Sequence, residues 1–227
     1  SDIGIPLEKA NGAIIEINAA PGIRMHHFPS KGQGRNVAGE IVKFLCPEGK
    51  DVSIPVISVT GTNGKTTTVR MISHILRTMG KNVGMTNTDG VYFNDECLKR
   101  GDNTGPISAR TVLMDKRIDY AVLETARGGI VNRGLGYDLA DVGLITNIQE
   151  DHLGIDGIYD MDDMAFVKAL VIEAVKTDGY AVLNADDEYC MKIKDRTKAN
   201  LILFSVNPDN EHLNNHIRQG GIGFFAD

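Results

Sequence analysis

The sequence predicts an α/β protein with a doubly wound, mostly parallel sheet. Three nearly all-apolar runs of strand length recur along the chain, at residues 120–124, 142–146 and 180–184. Strands that are apolar on both faces are typical of a parallel sheet covered by helices on each side. Helical patterns separate most of these runs, and this alternation favours the doubly wound arrangement.

The first strand of this sheet is predicted at residues 56–59, directly before a glycine-rich loop. Gly61 and Gly64 end the strand, and a helical pattern begins at Lys65. Gly80 is placed to end that helix in a left-handed conformation. The apolar residues that give the helix one buried face are Val69, Ile72, Leu76 and Met79.

A strand, a glycine loop and a helix N-terminus together bind phosphate, because backbone N–H groups and the helix dipole point at the anion. Lys65 adds a positive charge for the outer phosphates, and the Thr66 hydroxyl can bind Mg2+. The usual P-loop spacing requires a glycine where this chain has Val59, so residues 61–66 form a shortened variant. We predict a nucleoside triphosphate site; the alternative is a glycine turn with a solvated lysine.

Composition excludes several classes of function. The 227-residue chain has a net charge of −6, which argues against a nucleic-acid partner. No apolar run reaches the length of a membrane span and no signal peptide opens the sequence, so we expect no membrane partner and a cytoplasmic location. The three cysteines are far apart, as expected of reduced thiols outside disulfides and metal clusters.

The N-terminal part of the chain differs in character from the rest. Residues 12–18 are predicted to form a strand on which Glu16 and Asn18 point to the same face. A carboxylate and an amide oxygen there can share Mg2+; the alternative is the polar face of an edge strand. A helical pattern at residues 37–45 and a turn-rich segment follow. We therefore expect two domains, residues 1–50 and residues 51–227.

Further elements are predicted around the apolar strands. Residues 83–86 form a second short strand, and residues 91–93 form one arm of a hairpin bracketed by turn signals. A polar loop at residues 101–106 precedes a helix at about residues 107–115. A longer helix is predicted at about residues 160–176. These elements supply the alternation of helix and strand that the fold requires.

Polar residues follow several predicted strands at their carboxyl ends. Ligands of such sheets bind outside these ends, so the polar residues and the glycine loop predict one convergent site. Taken singly, an aspartate could cap a helix and a histidine could be an ordinary loop residue. The residues concerned are Glu124, Asn147, Asp151, His152, Asn184, Asp186 and Asp187.

Lys168 stands on an otherwise apolar face of its predicted helix. It shares that face with Met164, Val171 and Val175. Such a lysine can extend its ammonium group to solvent along its methylene stem. The alternative is a role beside the phosphates, and the residues themselves leave both possibilities open.

These motifs together resemble those of the Mur ligase family, ATP-dependent enzymes that join an amino acid to a carboxylate. The resemblance covers roughly residues 54–205 and rests on residues 61–67, Glu124, residues 147–153, Lys168 and residues 184–187. It implies ATP and Mg2+ as cofactors. The implied ATP-binding residues are Gly61, Thr62, Asn63, Gly64, Lys65, Thr66, Thr67, Asn147, Asn184 and Asp187.

The resemblance also implies roles in metal binding and catalysis. Thr66, Glu124 and His152 are the implied metal ligands of this domain, and Lys65, His152 and Lys168 are the implied catalytic residues. Lys168 falls where several members of the family carry a carbamylated lysine. A carbamate there would supply an oxygen ligand and remove the buried positive charge.

Residues 88–92, 101–106 and 123–129 are most similar to family members in which an ATP-grasp module precedes the Mur-like module. Residues 15–22 resemble the end of an ATP-grasp domain, so residues 1–50 are its expected remnant and Glu16 and Asn18 its metal ligands. This likeness implies a homo-oligomeric protein that adds arginine to the side-chain carboxylates of an aspartate-rich polymer.

Other activities remain open at this point. The same chemistry serves folylpolyglutamate synthetases and cell-wall ligases, and a P-loop kinase or GTPase is a more distant alternative. The sequence stops at Asp227, before the C-terminal domain usual in the family. We therefore expect this piece alone to be inactive as a ligase, and a non-catalytic ATP-binding role is a further alternative.

Overall fold

A computed structural model of the chain describes Lys9 and residues 17–47, 53–151, 153–155 and 157–226. Residue contacts divide the chain into two compact units, Ser1–Val52 and Ser53–Asp227. In the first unit, α1 spans Arg24–His27 and α2 spans Val37–Leu45. Of the strand predicted at residues 12–18, only the last two residues are described, and neither lies in a strand.

The described part of the second unit contains a nine-stranded sheet with the order β4-β3-β2-β5-β1-β6-β7-β8-β9. The pairs β2–β3 and β3–β4 are antiparallel, and all other neighbours are parallel, so the predicted mostly parallel sheet is confirmed. The strands are β1 (Val56–Thr60), β2 (Val83–Thr86), β3 (Gly90–Phe93), β4 (Glu96–Arg100), β5 (Tyr120–Glu124), β6 (Ala140–Ile145), β7 (Val175–Asn184), β8 (Asn200–Ser205) and β9 (Ile222–Phe225).

Helices cover both faces of this sheet. Val59 of β1 packs in one apolar cluster with Val69, whereas Val56 packs in another with Val112. Because alternate strand residues point to opposite faces, the two clusters lie on opposite sides of β1, as a doubly wound sheet requires. The helices are α3 (Lys65–Thr78), α4 (Pro106–Leu113), α5 (Arg127–Arg133), α6 (Met161–Glu173), α7 (Glu188–Ile193) and α8 (Glu211–Arg218).

Two predicted details are wrong. Met79 lies just beyond α3 with 67% of its surface exposed, so it does not belong to the buried face of that helix. The helix predicted to reach residue 176 ends at Glu173, and Val175 begins β7, where it pairs with Ala140. Val175 is buried as expected, but by the sheet, since strand pairing takes over directly after the helix.

None of the described helices combines the length and apolarity needed to cross a bilayer. Cys46, Cys97 and Cys190 are free thiols, as predicted.

Candidate active site

The glycine loop lies at the end of β1, between the ends of β5 and β6. Gly61 and Gly64 adopt φ angles of 140° and 85°, and Gly64 directly precedes α3. These left-handed conformations favour glycine, because a Cβ would crowd the backbone. Gly80 likewise ends α3 with a φ of 77°. The predicted strand, glycine loop and helix are confirmed.

Gly61→Ala is expected to damage the loop. A Cβ at position 61 would lie 2.0 Å from Oγ1 of Thr146, in addition to the unfavourable φ. We expect the free energy of unfolding, measured with urea, to fall by more than about 1 kcal/mol, and ATP affinity to fall with it. The control is Gly128→Ala, because a Cβ there meets open space. Equal stability and affinity in the two variants would contradict the expectation.

The segment that follows β6 holds the glycine loop in place. Asn147 Oδ1 accepts a hydrogen bond from the backbone N–H of Asn63 at 2.9 Å, and Asn147 Nδ2 donates to the Asn63 carbonyl at 3.2 Å. Thr146 Oγ1 donates to the same carbonyl at 2.6 Å. The backbone N–H of Thr62 donates to the Asn147 carbonyl at 2.9 Å. Asn147 therefore contacts the predicted phosphate loop directly and fixes its backbone.

Lys65 begins α3 and stays within the loop. Its Nζ donates a hydrogen bond to the Thr62 carbonyl at 2.9 Å, and the side chain is half-buried. Thr67 follows in the first turn of α3 and is exposed. The ammonium group is thus held beside the helix N-terminus, where an anion gains from both charges.

Thr66 and Glu124 form a polar pair between α3 and the end of β5. Thr66 Oγ1 donates to Glu124 Oε2 at 2.8 Å and lies 3.3 Å from Thr88 Oγ1. Glu124 is only 2% exposed, and its Oε1 has no hydrogen-bond partner among the described residues. Burial raises the pKa of Glu124, while the hydrogen bond from Thr66 opposes that rise.

This pair fits a hard cation. A buried carboxylate oxygen without a partner is costly, and carboxylate and hydroxyl oxygens are the ligands that Mg2+ prefers. A cation bound there would supply the missing partner of Oε1 and favour the ionised form of Glu124. Thr66 and Glu124 are therefore the described residues that suit the predicted Mg2+.

Glu124→Gln is expected to remove the effect of Mg2+ on nucleotide affinity. The substitution keeps the shape of the side chain but loses the negative charge that a divalent cation needs. We expect Mg2+ to strengthen binding of a non-hydrolysable ATP analogue to the wild type by at least about tenfold, and to have little effect on the variant. Calorimetry with and without Mg2+ measures this, with exposed Glu96→Gln as control. A full Mg2+ effect in Glu124→Gln would disprove the metal role.

Lys168 lies on α6 and is 2% exposed. Its Nζ donates a hydrogen bond to Oγ1 of Thr62 at 2.9 Å, so the solvent-extended alternative is wrong and the ammonium group faces the glycine loop. Burial and, second, the nearby charge of Lys65 lower the pKa of Lys168 to about 8, against an opposing contribution from Asp151. Lys168 therefore yields its proton more readily than an exposed lysine.

Asn184 and Asp187, two further predicted ATP-binding residues, contact the segment that follows β6. Asn184 Nδ2 donates to the Thr146 carbonyl at 3.0 Å. Asp187 caps α7 by accepting from the N–H of Cys190 at 2.9 Å, and also accepts from the N–H of Ile148 at 2.7 Å. Both residues thus hold the segment that supports the loop. The helix-cap alternative considered for an aspartate here is realised by Asp187, not by Asp186.

The remaining predicted metal ligands are Glu16 and Asn18 of the first unit and His152 of the second. Asn18 is exposed, and its Oδ1 accepts a hydrogen bond from the N–H of Ala20 at 3.1 Å. Glu16 and His152 lie outside the described residues. Among the residues that are described, no group of three or more histidine, cysteine or acidic side chains is placed to bind a metal ion.

Two residues of the site were not predicted from the sequence. Thr146 and Gln149 both bind the glycine loop, Gln149 through Oε1, which accepts from Asn63 Nδ2 at 3.2 Å. Their position directly after an apolar parallel strand was the available signal, since that is where such sheets bind ligands.

A polar cavity of about 640 Å³ opens beside this site. Thr104 and Gly129 line both this cavity and the small space that reaches Glu124. Its wall carries the basic side chains of Lys99 and Arg133 as well as the carboxylate of Asp102.

Comparison with known proteins places this site in a family. The sequence model of the Mur ligase middle domain matches residues 59–224. The chain is 52% identical over 222 residues to cyanophycin synthetase of Synechocystis sp., an alignment covering 98% of this chain and 25% of that protein. It is 30% identical over 189 residues to UDP-N-acetylmuramoyl-L-alanyl-D-glutamate–L-lysine ligase of Staphylococcus haemolyticus, covering 77% and 36%. The chain thus spans about a quarter of the length of its cyanophycin synthetase relatives.

Solved structures share the fold. A UDP-N-acetylmuramoyl-L-alanyl-D-glutamate–2,6-diaminopimelate ligase matches with a TM-score of 0.59 at 22% identity, covering 69% of this chain and 33% of that one. A bifunctional folylpolyglutamate synthase/dihydrofolate synthase, solved with Mn, AMPPNP and L-glutamate, matches with a TM-score of 0.52 at 22% identity, covering 73% and 46%. The chain belongs to the Mur ligase family through its middle domain and, within that family, is a relative of the cyanophycin synthetases.

Proposed function

We propose that this chain supplies the ATP site of a ligase that joins an amino acid to a carboxylate through an acyl phosphate. The observation that carries the proposal is the convergence of Lys65, Thr66 and Glu124 at the ends of β1 and β5, where one buried Glu124 oxygen has no hydrogen-bond partner among the described residues. A phosphate loop beside a cation site suits phosphoryl transfer, in which the protein mainly positions the groups and stabilises charge.

Each residue has a defined task in this reaction. Lys65 and the backbone N–H groups at the start of α3, which have no partner within the helix, hold the outer phosphates, while Thr66 and Glu124 hold the cation. Thr66 and Glu124 would hold Mg2+ where it would neutralise charge on the transferring phosphoryl group. The acceptor carboxylate attacks the γ-phosphorus, ADP leaves, and the amine of the incoming amino acid then displaces phosphate from the acyl phosphate. His152 is proposed to hold a second cation.

Lys168 is proposed to carry a carbamate in the working enzyme. A buried ammonium group is costly, and its conversion to a carbamate replaces the positive charge with a negative one that a nearby cation can pair. The lowered pKa supports this, because only the neutral amine adds to carbon dioxide. The carbamate oxygens would also suit Mg2+ better than a histidine nitrogen does.

The substrates that we propose are arginine and the side-chain carboxylates of an aspartate-rich polymer. The 52% identity to a cyanophycin synthetase supports this choice over a cell-wall or folate acceptor. The polar cavity lined by Lys99, Asp102 and Arg133 supports it too, because the two basic side chains suit acceptor carboxylates and the carboxylate suits a guanidinium group already attached. We further propose that residues 1–50 end an ATP-grasp domain and that the complete protein is a homo-oligomer.

Phosphate release from the complete protein tests this function. An aspartate-rich primer is supplied with arginine, with glutamate, or with no amino acid. We expect ATP-dependent phosphate release and amide product with arginine only. Product with glutamate alone would assign a different amino-acid substrate, and ATP binding without release under any condition would favour a non-catalytic role.

A further inference from the structure

We propose that Thr62 is a positioning residue, whose hydroxyl group holds the Lys168 side chain against the glycine loop at the distance that phosphoryl transfer requires. The inference rests on the proposed function, since it concerns the same site. Thr62 lies in the loop itself, whereas Lys168 comes from α6, more than one hundred residues later in the chain.

The Thr62 hydroxyl uses its full hydrogen-bonding capacity. It donates to the Gln149 carbonyl at 3.1 Å and accepts from the Gln149 backbone N–H at 2.9 Å. It also accepts from Lys168 Nζ at 2.9 Å. A hydroxyl group offers one proton and two lone pairs, so these three contacts leave nothing for solvent. An aliphatic side chain cannot make any of these three hydrogen bonds. A carboxamide or a carboxylate differs from the hydroxyl group in shape and in the number of protons it can donate.

The hydrogen bond to Thr62 Oγ1 also fixes the position of the Lys168 amine. Among the described residues, Thr62 Oγ1 is the hydrogen-bond acceptor that Nζ reaches, although the side chain is only 2% exposed. Loss of that acceptor would leave a buried amine that must reorient, because an unpaired buried polar group is costly. The position of the Lys168 side-chain end therefore depends on the Thr62 hydroxyl.

Thr62 also holds the ends of two lysine side chains apart. Its side chain binds Lys168, while its own carbonyl accepts a hydrogen bond from Lys65 Nζ at 2.9 Å. Before Lys168 is carbamylated the two ammonium groups repel each other. A carbamate keeps one N–H on Nζ, which can still donate to the Thr62 hydroxyl. Each lysine is thus held by a different atom of one residue. The geometry thus assigns Thr62 the task of setting where the two groups meet the transferring phosphoryl group.

Thr62→Val and Thr62→Ser test this role in the complete protein. Valine keeps the shape and loses the hydroxyl group, whereas serine keeps the hydroxyl group. We expect Thr62→Val to lower kcat by about tenfold to a hundredfold with little change in KM for ATP, and Thr62→Ser to restore most of the loss. Thr78→Val, at the far end of α3, removes an exposed hydroxyl and should match the wild type.

A double-mutant cycle with Lys168→Met separates positioning from general damage. If Thr62 acts through Lys168, then Thr62→Val will add no further loss of kcat once Lys168 is methionine. Losses that multiply, or a folded Thr62→Ser as impaired as Thr62→Val, would overturn the inference. A wild-type protein that neither binds nor turns over ATP would instead overturn the proposed function, so the two failures are distinguishable.

Discussion

Replacement of Lys65 by alanine is expected to abolish measurable ATP binding while the fold stays intact. Lys65 is half-buried, and its described side-chain hydrogen bond goes to one carbonyl of the glycine loop, so its removal takes little packing from the core. The substitution instead removes the positive charge that we expect to face the outer phosphates. Hydrogen bonds to charged groups contribute about 1.5–3 kcal/mol each, and we expect this ammonium group to contact more than one phosphate oxygen.

Calorimetry with a non-hydrolysable ATP analogue measures the effect, and urea unfolding checks the fold. We expect a fall in affinity of at least about a hundredfold with an unchanged unfolding midpoint. Lys81→Ala, an exposed lysine shortly after the end of α3, is the matched control for the lost charge. Unchanged affinity in a folded Lys65→Ala protein would remove the basis for a phosphate loop at residues 61–66.

Replacement of Lys168 by methionine is expected to cut turnover of the complete protein by about a hundredfold or more, while ATP still binds. Methionine keeps an apolar stem on α6 and loses only the charged end. The variant should be at least as stable as the wild type, because burial of the ammonium group, which lowers its pKa to about 8, opposes folding at neutral pH.

The pH dependence of stability gives a second measurement on the same variant. The pKa of Lys168 is depressed from 10.5 to about 8 on folding, so the unfolded chain binds more protons between those values. The free energy of unfolding of the wild type should therefore rise with pH across this window, and the rise should be smaller in Lys168→Met. Lys198→Met, at an exposed site, is the control. Near-normal turnover in Lys168→Met would reject a catalytic role.

The central part of the fold could be predicted from the sequence because its signals are local. A strand, two glycines and a helix start lie within about a dozen residues, and the backbone of Gly61 and Gly64 requires glycine. Glu124 could be found because it directly ends an apolar strand. Strands β8 and β9 were not predicted. The local pattern alone does not reveal that β8 pairs with β7 and that β9 pairs with β8.

The network around the loop could not be predicted in the same way. The hydrogen bonds from Thr62 to Gln149 and Lys168 join segments that are far apart in sequence, and a hydroxyl group in a motif gives no indication of its partner. For Lys168, helical periodicity identified the apolar face but not what that face meets. For Asp187 the motif suggested ligand binding but gave no indication that the carboxylate also caps a helix.

Transfer of oxygen from the acceptor to phosphate is the most direct test of an acyl-phosphate ligase. The complete protein is given ATP, arginine and an aspartate-rich primer whose side-chain carboxylates carry oxygen-18. When a carboxylate oxygen attacks the γ-phosphorus and the amine later displaces phosphate, that oxygen leaves with the phosphate. We predict one labelled oxygen in each phosphate released and none in AMP. Unlabelled phosphate, or label in AMP, would contradict the mechanism.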